Sequence, residues 1–249
     1  MRIALATAWI LACGVITGGI YWAFLNTPES TIWTLLLSAT LALLAAVATG
    51  LTANGAIALL VHGPSATGLR LAVRWLPAIV VAGVVEGLLW WIAGGIDTWV
   101  ALRTGEINAW FIARFGWDNV AWFFTAIRWF TLWLRWVLCA VLSLSLLAGV
   151  MAVGWRAVTQ AAWLRRALRP RTLLLATVWF VVLVLLPWVY LAPWRPEWLP
   201  PTSAQLAFIV VKLSITAGLI ALGFALIAFE AVRITPPPLD YQSDRVVAA

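Results

Sequence analysis

The sequence predicts an all-α integral membrane protein, a polytopic bundle of about six transmembrane helices. Three observations lead there. Hydrophobic residues make up 64% of the 249 and charged residues only 10%, whereas a soluble domain carries about a quarter charged. Mean hydropathy is +1.01. The apolar residues also fall into six long runs, each of the roughly 20 residues that a helix needs to cross a bilayer. Short connections leave little chain for anything else. Residues 1–235 are therefore read as a single transmembrane domain, and 236–249 as a short cytoplasmic tail.

The first span, about 3–25, follows Arg2 and carries no charge. A signal peptide ending near Cys13 is the competing reading. The run continues through Ile20, Tyr21, Trp22 and Phe24, which a cleaved leader does not need, so a retained helix is expected. Asn26 to Ser30 has turn and helix-start chemistry. The second span, about 31–61, exceeds one perpendicular crossing and must tilt, extend or break. Gly50, Asn54 and Gly55 mark the expected bend.

A short basic connection with Arg70 and Arg74 leads to the third span, about 76–96. Residues 97–131 form the only long connection, mixing charges with Trp99, Trp110, Phe111, Phe115, Trp117 and Trp122. Ile107, Trp110, Phe111 and Phe115 share a helical face. That pattern predicts an external, Trp-rich interfacial helix between spans three and four, rings at headgroup depth and charges toward water. Spans four, five and six are placed at about 132–153, 172–191 and 205–231. A Pro-Trp turn from Ala192 to Pro201 separates the last two, and Pro236 to Pro238 halts the chain's last helix.

Arginine distribution sets the expected orientation. With the amino terminus inside, ten arginines lie on the inner connections and five on the outer ones. Arg156, Arg165, Arg166, Arg169 and Arg171 fall within one short inner connection. Positive charge collects on the cytoplasmic side, so both termini are expected there, in a bacterial-type inner membrane. The net charge of +7 follows from this rule, and nucleic acid is not an expected partner because the basic residues form no polar domain. The expected partners are the lipid bilayer and either other membrane subunits or further copies of the chain.

Few residues are chemically equipped. Glu86 sits near the middle of span three, where a charge is costly and normally faces the bundle interior. It reads either as a proton or substrate site or as a protonated carboxyl bridging two helices. Lys212, about seven residues into span six, can reach inward to Glu86 as an intramembrane charged pair or snorkel outward. Arg128 and Arg135, seven apart and flanked by Trp129, Trp133 and Trp136, can hold a lipid headgroup or other anion, or serve as interfacial anchors. Arg165, Arg166 and Arg169 form a second anion or headgroup candidate, although topology alone explains them. Gly14 and Gly18 in span one, and Gly83 and Gly87 around Glu86, have the spacing that lets helices approach closely.

Absences narrow the field. The sequence contains no G-x-S-x-G elbow, no H-E-x-x-H and no Walker loop, and all four aspartates are placed outside the spans. A single histidine and two cysteines inside apolar runs suit neither a metal site nor a disulfide framework. No cofactor and no catalytic residue are expected. A non-catalytic accessory or scaffold subunit of a membrane complex ranks first. A transporter or permease component using Glu86 and Lys212 ranks second, and a lipid-acting enzyme third.

Overall fold

The computed structural model describes residues 1–28, 30–117, 119–160, 162–191, 193 and 203–235. Asp118, the tail at 236–249 and, apart from Pro193, the Pro-Trp turn at 192–202 lie outside the described residues. Within those residues every element is helical: α1 Arg2–Leu25, α2 Ile32–His62, α3 Ala66–Arg74, α4 Ala78–Leu102, α5 Thr104–Phe115, α6 Ala121–Trp133, α7 Cys139–Val153, α8 Arg156–Thr159, α9 Ala162–Ala167, α10 Pro170–Phe180 and α11 Ser203–Arg233. A π-helical turn, Leu134–Leu138, joins α6 to α7, and two more, Val181–Leu185 and Pro187–Leu191, continue α10. Six helical stretches are long and apolar enough to cross a membrane: Arg2–Leu25, Ile32–His62, Ala78–Leu102, Ala121–Val153, Pro170–Leu191 and Gln205–Arg233. The protein is an all-α polytopic bundle.

Local chemistry explains where the helices start and stop. Thr31 and Thr34 form a reciprocal cap at the head of α2, with Thr34 N–H donating to Thr31 Oγ1 at 3.3 Å and Thr31 N–H to Thr34 Oγ1 at 3.0 Å. Gly63 ends α2 at φ 67° and Gly154 ends α7 at φ 71°, conformations that a Cβ disfavours. Pro187 lacks the N–H that would continue the α-helical ladder of span five, and π-helical geometry surrounds it.

Several boundaries differ from the sequence reading. The third and fourth spans are longer than 76–96 and 132–153, and they absorb both ends of the segment 97–131. Asp97 lies inside α4, not outside the spans, and Arg128 lies inside α6. In the sequence an apolar run ends at such a charge, but here Asp97 and Arg135 satisfy each other, so the helices run on. Only α5 remains as the separate helix between spans three and four. The expected bend in the second span is also absent: α2 runs unbroken through Gly50, Asn54 and Gly55. These residues are packing points instead. A Cβ on Gly50 would stand 2.6 Å from Ile79 Cδ1, and one on Gly55 would collide with the Trp9 indole.

The core is organised around α7. In the most apolar window of Ala121–Val153, 61% is buried, against 6% in α1 and 11% in both α2 and α4. Ten of α7's residues, from Cys139 to Val150, are buried and face every direction, as expected of a helix apolar all round. One buried cluster joins Ile57, Ala78, Ala82 and Leu146; a second joins Val137, Val141, Phe180 and Ile227; a third joins Ala6, Ala56, Leu60 and Ala225. Alanines dominate these contacts, because small residues let backbones approach where no hydrophobic effect drives helices together.

At one end of the bundle the arginine-bearing segments are tied together. Arg2 donates to the carbonyls of Leu60 and Val61 at 3.2 and 3.0 Å. Arg166 donates to Ile234 O at 3.2 Å, and Trp75 meets Trp155 edge-on at 6.0 Å. At the opposite end, α5 and the start of α6 are zipped by rings centred on Phe111, which touches Trp110, Phe115, Trp117, Trp122 and Phe123.

Candidate functional site

A half-open groove of about 720 Å³ lies between α1, α2, α4, α7 and α11. Its floor comes from Thr49 to Ala56 of α2, Ile79 to Glu86 of α4, Ala140 to Leu147 of α7, and Phe224 and Ala228 of α11. The α1 wall runs from Ile10 to Leu25, about 22 Å at 1.5 Å per residue. Leu25 is the last residue of α1, so the groove extends to the end of a span. Its walls are overwhelmingly apolar.

Glu86 is the one charged residue in the lining. It lies eight residues into α4, about 12 Å along the axis from Ala78, and its side chain is exposed in the groove. Among the described residues no hydrogen bond or ion pair reaches its carboxyl: the three ion pairs there are Arg103–Glu106 at 3.8 Å, Arg135–Asp97 at 2.7 Å and Arg233–Glu230 at 3.6 Å. Nearby on α7, Ser143 is 3% exposed and lines the groove. Its Oγ has no well-formed hydrogen bond, only a weak approach to the Cys139 thiol one turn earlier. The hydroxyls of Thr17, Thr49 and Thr52 donate to their own helices, each at 2.8 Å to the carbonyl four residues back. The lone pairs of Thr17 and Thr49 remain for acceptance, while the Thr52 hydroxyl is also approached by the Cys13 thiol. Chemically, the groove offers an apolar trough, one carboxyl and a surplus of acceptors.

The remaining candidate residues fall in different places. Lys212 is buried, with its Nζ 5.8 Å from the centre of the Phe208 ring, and it is not in the groove lining. It lies nine residues into α11 from the end opposite the arginines, whereas Glu86 lies eight residues into α4 from the arginine end. No ion pair joins the two. Gly14 and Gly18 line the groove, and no atom comes within 4 Å of a Cβ built on either; the same is true of Gly83 and Gly87. The close glycine contacts lie elsewhere, at Gly50, Gly55 and Gly223.

Arg135 is held rather than open. Its Nη2 donates to Asp97 Oδ2 at 2.7 Å, its guanidinium stands 5.3 Å from the Trp90 ring centre, and Thr131 Oγ1 donates to the other Asp97 oxygen at 2.9 Å. Arg128 is exposed two turns away on α6. Arg165 and Arg169 are exposed on the arginine-bearing end, and Arg166 is spent on Ile234 O. The sequence reading missed Asp97, whose signal was its position at the end of one span beside an arginine at the end of the next. It also missed Ser143, for which no signal existed: serines are common in apolar helices.

Comparison with protein-family models, curated proteins and solved structures gives no match.

Proposed function

We propose that this multi-pass membrane protein is a transporter or permease component whose binding site is the Glu86 groove. The observation that carries this reading is the unpartnered Glu86 carboxyl inside a groove of about 720 Å³. A bare carboxylate facing hydrocarbon is expensive, and a polar or cationic group brought by a ligand offsets that cost. The volume falls in the range of small-molecule sites, roughly 300–1,000 Å³. Lys212 lies outside the lining, so the site rests on Glu86 without it. The arginine-bearing end is the cytoplasmic end by the positive-inside rule. That places both termini in the cytoplasm of a bacterial-type cell and the α5–α6 aromatic cluster outside, at headgroup depth.

A second reading, the accessory or scaffold subunit, is favoured by a different observation. Gly83 and Gly87 present an open small-residue face on α4 with nothing packed against it, which suits the close approach of a helix from another subunit or a second copy. In that case a donor on the partner helix meets Glu86.

Native mass spectrometry separates the readings. Gly18→Trp fills the groove, and space exists for its ring because nothing stands near the Gly18 Cβ position. The wild type should carry a bound small molecule in stoichiometric amount and Gly18→Trp should not, with unchanged unfolding temperature. Identical adducts in both proteins contradict the groove reading. A bound polypeptide lost in Gly83→Leu supports the subunit reading instead.

A further inference from the structure

The polar groups of the groove are unequal in kind, and this bears on what it binds. The lining contains no lysine, arginine or histidine. Glu86 supplies acceptor oxygens in its ionised form. Thr17, Thr49 and Thr52 have committed their protons to carbonyls of their own helices, so they offer a ligand lone pairs, with Thr52 shared with the Cys13 thiol. Deep in the groove, the Ser143 hydroxyl is the one donor without a settled partner, and it sits at the floor, 3% exposed. Tyr21 and Trp22 add donors only on the outer part of the α1 wall, where both are exposed. A carboxylate or phosphate entering this space would meet a like charge at Glu86 and the lone pairs of three threonines. A head that donates hydrogen bonds and carries positive charge would meet all of them favourably, the attraction strengthened by the low dielectric of the site.

The apolar walls fix the rest of the ligand. From Glu86 the lining continues along α1 through Gly14 and Gly18 to Leu25. The two glycines widen the trough along a strip with no side chain in it. A flexible hydrocarbon chain fits there with its head down and its tail toward the outer end of α1.

Resting on the groove being a binding site, we propose that its ligand class is an amphipathic primary or secondary ammonium, with the head on Glu86 and Ser143 and the apolar chain along α1. An ammonium proton is then donated to a Glu86 oxygen, a second can be shared with a threonine or serine oxygen, and no covalent step is involved.

The test uses the purified full chain in detergent and three fluorescent probes with one dansyl-alkyl tail, ending in an amine, an alcohol or a carboxylate. The wild type should bind the amine at least about tenfold more tightly than the carboxylate, a difference that is unambiguous in equilibrium titration. Glu86→Gln, which keeps the shape, should remove that preference while leaving alcohol binding within about twofold. Ser143→Ala should weaken the amine and the alcohol together. Equal binding of all three probes in both wild type and Glu86→Gln, abolished by Gly18→Trp, overturns the ligand class and leaves the groove intact as a site. Binding that Gly18→Trp does not change overturns the groove reading itself. A tighter carboxylate than amine also overturns the class.

Discussion

Asp97 Oδ2 and Arg135 Nη2 are 2.7 Å apart and join α4 to the π-helical turn in the central span. The pair is 38 residues apart in sequence. Asp97 also accepts from Thr131, and the guanidinium lies over Trp90, which in turn meets Trp136 edge-on at 6.0 Å. Both side chains retain some exposure, 25% for Arg135 and 38% for Asp97, so the attraction is partly screened. A π-helical turn at this point re-aims the side chains of one helix relative to α7, and Arg135 is the residue that turn presents to α4.

Asp97→Ala should lower stability by about 1–3 kcal/mol, because it leaves a half-buried guanidinium whose Nε already lacks a partner. Arg135→Met should cost less, since Thr131 still donates to Asp97. The double variant should be closer to wild type than the sum of the two losses. Thermal unfolding in detergent measures all three; strict additivity would contradict the pair.

Phe111 is the hub of the aromatic cluster and is 8% exposed, while its neighbour Trp110 is 56% exposed. Phe111→Ala should therefore cost about 3 kcal/mol and loosen α5 together with the start of α6, seen as faster hydrogen exchange in α5 and the first turns of α6. Trp110→Ala should change exchange there far less. Equal effects from the two would mean that the cluster is surface decoration and does not hold α5 in place.

Glycine substitutions should divide by contact and not by motif. A Cβ on Gly223 would stand 2.9 Å from Val184 Cγ2 and 3.2 Å from Leu183 Cβ. Gly223→Leu forces α11 away from span five, and overpacking of about 1–3 kcal/mol outweighs the gain of roughly 0.5–1 kcal/mol from removing a helical glycine. A Cβ at Gly83 meets nothing within 4 Å, so Gly83→Leu should leave the unfolding temperature of the monomer unchanged or slightly raised. A large drop for Gly83→Leu would show that α4 is covered by a second chain under the conditions of measurement.

The sequence made the class and the six crossings legible and singled out Glu86, for physical reasons. Long uncharged runs leave no fold but membrane helices, and a lone carboxylate inside one of them is conspicuous. Asp97 escaped because a charge at the end of an apolar run looks the same whether it faces water or an arginine on another helix. Gly50 and Gly55 were read as a hinge when their role is to seat Ile79 and Trp9. Gly83 and Gly87 have the spacing of a helix contact that no described residue of this chain makes with them. The groove was invisible because it belongs to five helices and to no local pattern; Ser143 and the three threonines acquire meaning only when α1, α2 and α7 are seen around Glu86.

The most direct test of the central claim is the reactivity of a cysteine placed in the groove. In a Cys13→Ser, Cys139→Ser background, Thr52→Cys puts a single thiol in the lining. Membrane vesicles are treated with a positively charged and a negatively charged methanethiosulfonate of similar size. The cationic reagent should react at least about tenfold faster, Glu86→Gln should abolish the difference, and Gly18→Trp should protect the thiol from both. A thiol that neither reagent reaches, or one they modify at equal rates whether residue 86 is glutamate or glutamine, would contradict that claim.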